Sequence, residues 1–185
     1  MATKKSRGKA AVFISIFILG ALLAGMTSAQ SPAAVEQEFA RATQLHQSGD
    51  LQGAVRAYVA ILEKHPARID VRSNLGAAYS ALGRYEQAIE EYKRALLVDG
   101  TKPAIRFNLA LAYYKAAWFD EAAAELERFL KAVPNGPQTI NAQLVLADAN
   151  VRLGEYKKVI QALSPLADSD PSNRTLAYLL GSALI

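Results

Sequence analysis

The feature that most restricts the fold of this chain is a motif that returns at an interval of 34 residues. The segment Asn74-Leu75-Gly76-Ala77-Ala78-Tyr79 is followed by Gly83-Arg84-Tyr85, Ala88, Tyr92 and Ala95. One interval later stand Asn108-Leu109-Ala110-Leu111-Ala112-Tyr113, then Phe119, Ala122, Leu126 and Phe129. One interval earlier, Gly49, Leu51, Ala54, Tyr58 and Ile61 fill the same columns. The register runs without a gap from residue 35 to residue 136. A unit this short cannot bury a core alone, so neighbouring units must stack.

Within a unit the apolar residues fall at helical spacing. Leu75, Ala78, Tyr79 and Leu82 make one stripe, and Tyr85, Ala88, Ile89 and Tyr92 make another. Between them Gly83 can take the left-handed conformation that ends a helix. Each unit therefore reads as two short helices joined by a tight turn.

This pattern resembles the tetratricopeptide repeat family. The family's small columns, the eighth and twentieth, hold Ala42 and Ala54, Gly76 and Ala88, Ala110 and Ala122. Its large columns hold Leu75 and Tyr79, Leu109 and Tyr113, with Tyr58, Tyr92 and Leu126 from the second helices. Its closing proline is Pro66 and Pro134, with Gly100 in that place in the second unit. The resemblance spans residues 35–173 and implies an all-α, right-handed superhelical solenoid of antiparallel helix hairpins with a concave side. The divisions expected are a signal peptide at 1–29, a lead at 30–34, and units at 35–68, 69–102 and 103–136. An insertion at 137–139, a fourth unit at 140–173 and the first helix of an incomplete fifth at 174–185 complete the chain.

The fourth unit is irregular. Leu146, Gly154, Tyr156, Leu163 and Pro171 sit three residues late, so residues near Pro137-Gln138-Thr139 should lengthen its first helix or form a loop. Val159 replaces the alanine of the other units, which predicts a looser crossing. Pro165 falls inside the second helix, where it removes a backbone bond and predicts a kink or an early stop near 162–164. The last stretch, Leu176 to Ile185, carries no charge. Either the natural chain continues past Ile185, the expected case, or this helix is covered by a partner or by self-association with a second copy.

The formal charge of +4 and pI near 9.3 do not mark a nucleic-acid binder. Lys4, Lys5, Arg7 and Lys9 all lie in the leader, and without them the remaining basic residues balance the 17 acidic ones. A neutral body offers no broad phosphate-neutralising surface. The basic start, the apolar run from Ala10 to Gly25 and Thr27-Ser28-Ala29 read as a signal peptide cleaved after Ala29. That run, about 16 residues, falls short of the roughly 20 of a permanent span. Uncleaved, residues 10–25 would instead tether the chain to a membrane. The chain has no cysteine, which excludes a lipoprotein anchor, disulfides, c-type haem and thiolate metal sites. A periplasmic or secreted bacterial protein is the expectation.

No catalytic constellation is present. His46 and His65 each stand in a last helical turn, where the helix dipole favours them, and not at metal-ligand spacing. There is no Gly-rich phosphate loop or Gly-x-Ser-x-Gly elbow, and no cofactor is implied. Glu86, Glu90, Glu91, Glu121, Glu125 and Glu127 are read as solvated faces beside Lys93, Arg94 and Arg128.

What remains is the concave groove, which the resemblance assigns to five columns of each first helix. These hold Glu36, Phe39, Thr43, His46 and Gln47, then Asp70, Ser73, Ala77, Ser80 and Ala81. The third unit supplies Ala104, Phe107, Leu111, Tyr114 and Lys115, and the fourth Asn141, Leu144, Asp148, Val151 and Arg152. A protein or peptide partner, presenting an apolar peptide or amphipathic helix, is expected to meet Phe39, Ser73, Phe107, Leu111, Tyr114, Lys115, Leu144, Asp148 and Arg152, with Lys115 and Arg152 facing its acidic groups. Phe107 and Leu111 also face the next helix, so packing is the preferred reading there, whereas Tyr114 is assigned to the ligand. Small residues in the second unit should leave a dip between aromatic rungs. The carboxylate-gripping residues of some family members are missing, with Phe39, Thr43, Ala104 and Asn108 in their columns. The expected function is an interaction scaffold of the bacterial envelope. Two alternatives stay open: the N-terminal part of a larger envelope enzyme such as a peptidase, and a membrane-tethered assembly factor.

Overall fold

A computed structural model describes residues 31–184; the expected signal peptide lies outside the described residues. Glu36–Ile185 forms the larger of two units. The described residues form α-helices only: α1 (Pro32–Gln47), α2 (Leu51–Lys64), α3 (Ile69–Ala81), α4 (Tyr85–Val98), α5 (Pro103–Lys115), α6 (Phe119–Ala132), α7 (Thr139–Arg152), α8 (Tyr156–Ser169) and α9 (Arg174–Leu184). None is long and apolar enough to cross a membrane. In the larger unit the helices pack in chain order as hairpins, giving an all-α solenoid.

The small columns explain the hairpins. Gly76 lets α3 approach α4 so closely that an added Cβ would lie 2.7 Å from the Tyr92 ring. Ala88, Ala110 and Ala122 are wholly buried at the equivalent crossings. The turns repeat as well. Arg84, Trp118 and Glu155 each donate a backbone N–H to a carbonyl five residues back, Tyr79, Tyr113 and Asn150, at 2.9, 2.9 and 2.8 Å. The residue before each donor is left-handed, at φ 72° for Gly83, 61° for Ala117 and 75° for Gly154.

Two carboxylates placed on solvated faces by the sequence are tucked in. Glu91 is buried and takes a 2.7 Å bond from Arg72, which also donates to the Pro66 carbonyl at 2.9 and 3.0 Å. One interval on, Arg106 pairs with half-buried Glu125 and donates to the Gly100 carbonyl at 3.0 Å. Each arginine ties the loop before its helix to the second helix of its own hairpin. The correction follows from pairing across the hairpin, which spacing within one helix does not reveal.

The fourth hairpin differs in three ways. The extra residues go into the connection 133–138, closed by Thr139, whose hydroxyl donates to the Val133 carbonyl and accepts from Gly136. With Val159 buried at the crossing, α7 and α8 meet less extensively than α3 with α4. The early stop expected at Pro165 is corrected, since α8 continues to Ser169. Pro165 and Gln161 are both exposed, so the carbonyl left unpaired faces water, and the Ser164 hydroxyl caps the Ile160 carbonyl at 2.8 Å. In α9, Leu176, Leu179 and Ala183 are buried, while Tyr178 and Leu184 are exposed.

Candidate functional site

The first helices α1, α3, α5 and α7 carry the groove columns, and their side chains meet different ends there. At the α1 end Phe39 is half-buried beside Tyr58, ring centroids 6.2 Å apart, and the Arg68 guanidinium covers it at 5.3 Å. Arg68 is itself held by Asp70 at 2.6 Å and Glu36 at 2.8 Å. The hydrogen bond from Arg68 holds the Asp70 carboxyl below its ordinary value. Phe39 is thus a roofed rung, and Arg68, just before α3, is a groove residue that column reading misses.

At the α5–α7 end, packing claims Phe107 and removes it from the groove. It is 3% exposed and meets the Phe129 ring at a tilt with centroids 5.0 Å apart, among Ala110, Leu126 and Ala142. It belongs to the core that joins α5, α6 and α7. Tyr114 is half-buried, and its hydroxyl donates to Asp148 of α7. Arg152 donates to the same carboxylate oxygen at 2.8 Å and lies 5.2 Å over the Phe119 ring. Phe119 meets the Tyr114 ring edge-on at 5.7 Å. Burial, and secondarily the Asp148 carboxylate, raise the Tyr114 phenol above its ordinary value of 10.0. The hydroxyl assigned to a ligand is spent on a strut between α5 and α7. Phe119, the fourth member of this cluster, stands outside the first-helix columns and so escaped notice.

Leu144 is half-buried against the Val159 and Leu163 core. Ser73 is half-buried on α3. The open part of the groove lies between α3 and α5. Ser80, Ala81, Tyr85, Leu111, Ala112 and Lys115 line a depression of about 310 Å³. Its floor is apolar because α3 offers only small side chains opposite Leu111. Ser80 is hydrogen-bonded to the buried Tyr92 hydroxyl, so the one polar floor group is engaged. A second depression of about 370 Å³, lined by Gly83, Arg84, Tyr85, Glu86, Gln87 and Ala116, adjoins it at Tyr85. Lys115, at the rim, is exposed and has no ion-pair partner among the described residues. Tyr85, from the second helix, is a wall the groove columns omit.

The arrangement suits binding of an extended or helical segment: a concave face, one apolar recess and a cationic rim. Among the described residues no three His, Cys, Asp or Glu side chains converge to hold a metal.

Two family profiles match the chain, one described as "TPR repeat" over residues 78–116 and one as "Tetratricopeptide repeat" over 107–164. Residues 78–164 carry tetratricopeptide repeats. Solved tetratricopeptide-like folds superpose over most of the chain. The MamA protein aligns with a TM-score of 0.73 and 23% identity over 80% of each chain. A tetratricopeptide repeat protein from Parabacteroides merdae aligns at 0.69 and 20%, over 83% of this chain and 59% of its own. The Yersinia enterocolitica type III secretion chaperone SycD, solved with a peptide of the translocator YopD, aligns at 0.62 and 22%, over 66% and 96%. Among curated proteins, the CTR9 homolog of Arabidopsis thaliana is 26% identical over 111 residues, 59% of this chain. The match spans only 10% of that much longer protein.

Proposed function

We propose that this tetratricopeptide chain is a holding module, in which a segment of a partner protein lies along the concave face and is anchored between α3 and α5. The observation that carries the reading is the apolar depression between Ala81 and Leu111, rimmed by Lys115. The use of the same fold by SycD to hold a translocator peptide is consistent with it. The chain acts by binding and performs no chemistry of its own. Its place of work is the bacterial envelope, reached by export on residues 1–29.

A displayed random-peptide library, selected against the protein, tests the holding role. Binders should be enriched and should lose affinity with Ala81→Trp, which fills the depression from an exposed position. Failure to enrich any binder, or binders indifferent to Ala81→Trp, sinks the proposal. Export is tested separately by the mass of the protein from the envelope fraction: a mature chain starting at Gln30 is expected, and retention of residues 1–29 contradicts it.

A further inference from the structure

The connection 133–138 between α6 and α7 contains Asn135-Gly136. Every other asparagine precedes a residue with a side chain: Asn74-Leu75, Asn108-Leu109, Asn141-Ala142, Asn150-Val151 and Asn173-Arg174. An asparagine carboxamide can close a ring onto the backbone nitrogen that follows it, and glycine offers that nitrogen with no Cβ in the way. Asn135 is exposed, and its carboxamide makes no hydrogen bond among the described residues, so nothing holds it back from closing that ring. The nitrogen it would meet is held. Gly136 donates its N–H to the Thr139 hydroxyl at 2.9 Å, buried Thr139 donates its own N–H to the Gly136 carbonyl at 3.1 Å, and both bonds lie inside one turn of chain. The comparable pair Asp99-Gly100, in the connection before α5, is disarmed differently. Its carboxylate accepts from the Thr101 hydroxyl and, at 2.9 Å, the Thr101 N–H, and pairs with Lys102 at 3.0 Å. The Thr101 bonds hold that carboxyl down at about 2, so it stays ionised and is a poor electrophile.

We propose that Asn135 is a deamidation site of the folded protein, with the Gly136 backbone nitrogen as nucleophile and Thr139 as the gate that sets its rate. The Gly136 nitrogen gives its proton to hydroxide and attacks Cγ of Asn135. The new N–Cγ bond closes a succinimide, the Cγ–NH2 bond breaks, and the amide leaves as ammonia with a proton from water. Water then opens the ring at either of its carbonyls, giving aspartate or isoaspartate, and is the only co-reactant consumed. The bond to Thr139 opposes the first step twice, by fixing the nitrogen and by engaging its proton, so reaction waits on local opening of the connection. Either product puts a carboxylate where an amide stood, and the isoaspartyl form adds a methylene to the main chain. Thr139 pins this connection at Gly136 and, through its hydroxyl at 3.1 Å, at the Val133 carbonyl. The lengthened backbone does not fit those bonds, and aged molecules lose the closure that seats α7 after α6. The site lies apart from the groove and is independent of the holding role.

The test incubates the purified full chain at mildly alkaline pH, folded or unfolded in guanidinium chloride, and maps its peptides by chromatography and mass spectrometry. In the folded chain the peptide spanning Asn135 should gain the mass of an amide-to-acid exchange and split into two products, ahead of every other asparagine. Asn135→Gln, whose longer side chain closes a larger and slower ring, should abolish the change. Thr139→Val keeps the shape of the buried side chain, removes the acceptor, and should speed conversion about five-fold, the worth of one hydrogen bond. The unfolded parent should convert faster than the folded one by at least that factor, which reads the same gate if Thr139→Val does not fold. A folded chain that keeps its Asn135 amide while the unfolded chain loses it overturns the proposal. Equal rates in the folded and unfolded parent, or in the parent and a folded Thr139→Val, overturn it as well.

Discussion

Ala117 marks the one turn at which the third hairpin departs from its neighbours. The equivalent residue is Gly49 at φ 87°, Gly83 at 72° and Gly154 at 75°, whereas Ala117 sits at 61° with a Cβ. The hydrogen bonding is unchanged: the residue that follows donates at 2.9 Å to the same carbonyl in both the Gly83 and the Ala117 turns. The difference is therefore confined to the methyl group. A left-handed conformation costs an L-residue about 1–2 kcal/mol. Glycine returns about 0.4–1 kcal/mol of this through the greater freedom of its unfolded chain. Ala117→Gly should then stabilise the protein by about 0.8 kcal/mol, or a few degrees in Tm for a chain of this size. The mirror substitution Gly83→Ala should cost a similar amount, because an added Cβ there meets nothing within 4 Å and only backbone strain is at issue. Urea unfolding can be followed by circular dichroism and by Trp118, the single tryptophan, which stacks on Tyr113 at 5.7 Å. If Ala117→Gly destabilises, or if both substitutions shift stability in the same direction, backbone strain is not what distinguishes this turn and the reasoning is wrong.

Four further outcomes follow from the packing. Gly76→Ala drives a methyl against the Tyr92 ring, which is 2% exposed and has nowhere to go, so thermal unfolding should show a loss of about 1–3 kcal/mol. Glu91→Gln leaves Arg72 facing a neutral partner at a site where both side chains are nearly covered, and chemical denaturation should show a loss of about 1.5–3 kcal/mol. Removing the exposed Arg94 from the same carboxylate should cost under about 1 kcal/mol. Tyr92 has its phenol raised by burial, so the stability of its neutral form is complete below pH 10, its ordinary value, and drains away as pH rises through the folded value. Tyr92→Phe should lose about 1 kcal/mol at neutral pH with the Ser80 bond, yet show a shallower decline above pH 10. An unchanged alkaline slope would contradict the assignment.

The hairpins were legible because the residues that specify them act locally and recur. A small residue at position 76 is read as a close crossing wherever its partner helix lies, and Gly83 stops α3 from information inside one turn. Legibility failed where a position's cost depended on what surrounds it. Pro165 should break a helix by the rule for buried ladders, but on the outer face of α8 the lost bond is taken over by water. Glu91 looked like a solvated partner of Arg94 because the sequence near it shows only α4. Its stronger partner, Arg72, comes from α3, and the same arginine recurs as Arg106 opposite Glu125. That second 34-residue correlation was present in the sequence, though the small-residue and aromatic columns are the ones that announce the fold.

The groove obeys a different logic, because a first-helix side chain is open only if the next hairpin leaves it so. Ser80 and Tyr114 occupy the same column one interval apart, yet Ser80 bonds to Tyr92 of its own hairpin and Tyr114 reaches Asp148 of the next. The long phenol bridges to α7, and the short hydroxyl cannot. Phe107 is closed off in the same way, since Ala142 and Val145 of α7 pack on its cluster where the small Ala81 faces Leu111 one step earlier. A recess therefore forms where a hairpin with small groove residues precedes one with large ones, and α3 before α5 is that step. This contrast is written in Ala77, Ser80 and Ala81 against Leu111 and Tyr114, and it foretells the dip. The columns name Lys115 and Arg152 as groove cations but not which of them is paired. That Lys115 remains unspent depends on Arg152 turning to Asp148 and on Arg68 gathering both Glu36 and Asp70, pairings that only the stacked helices bring within reach.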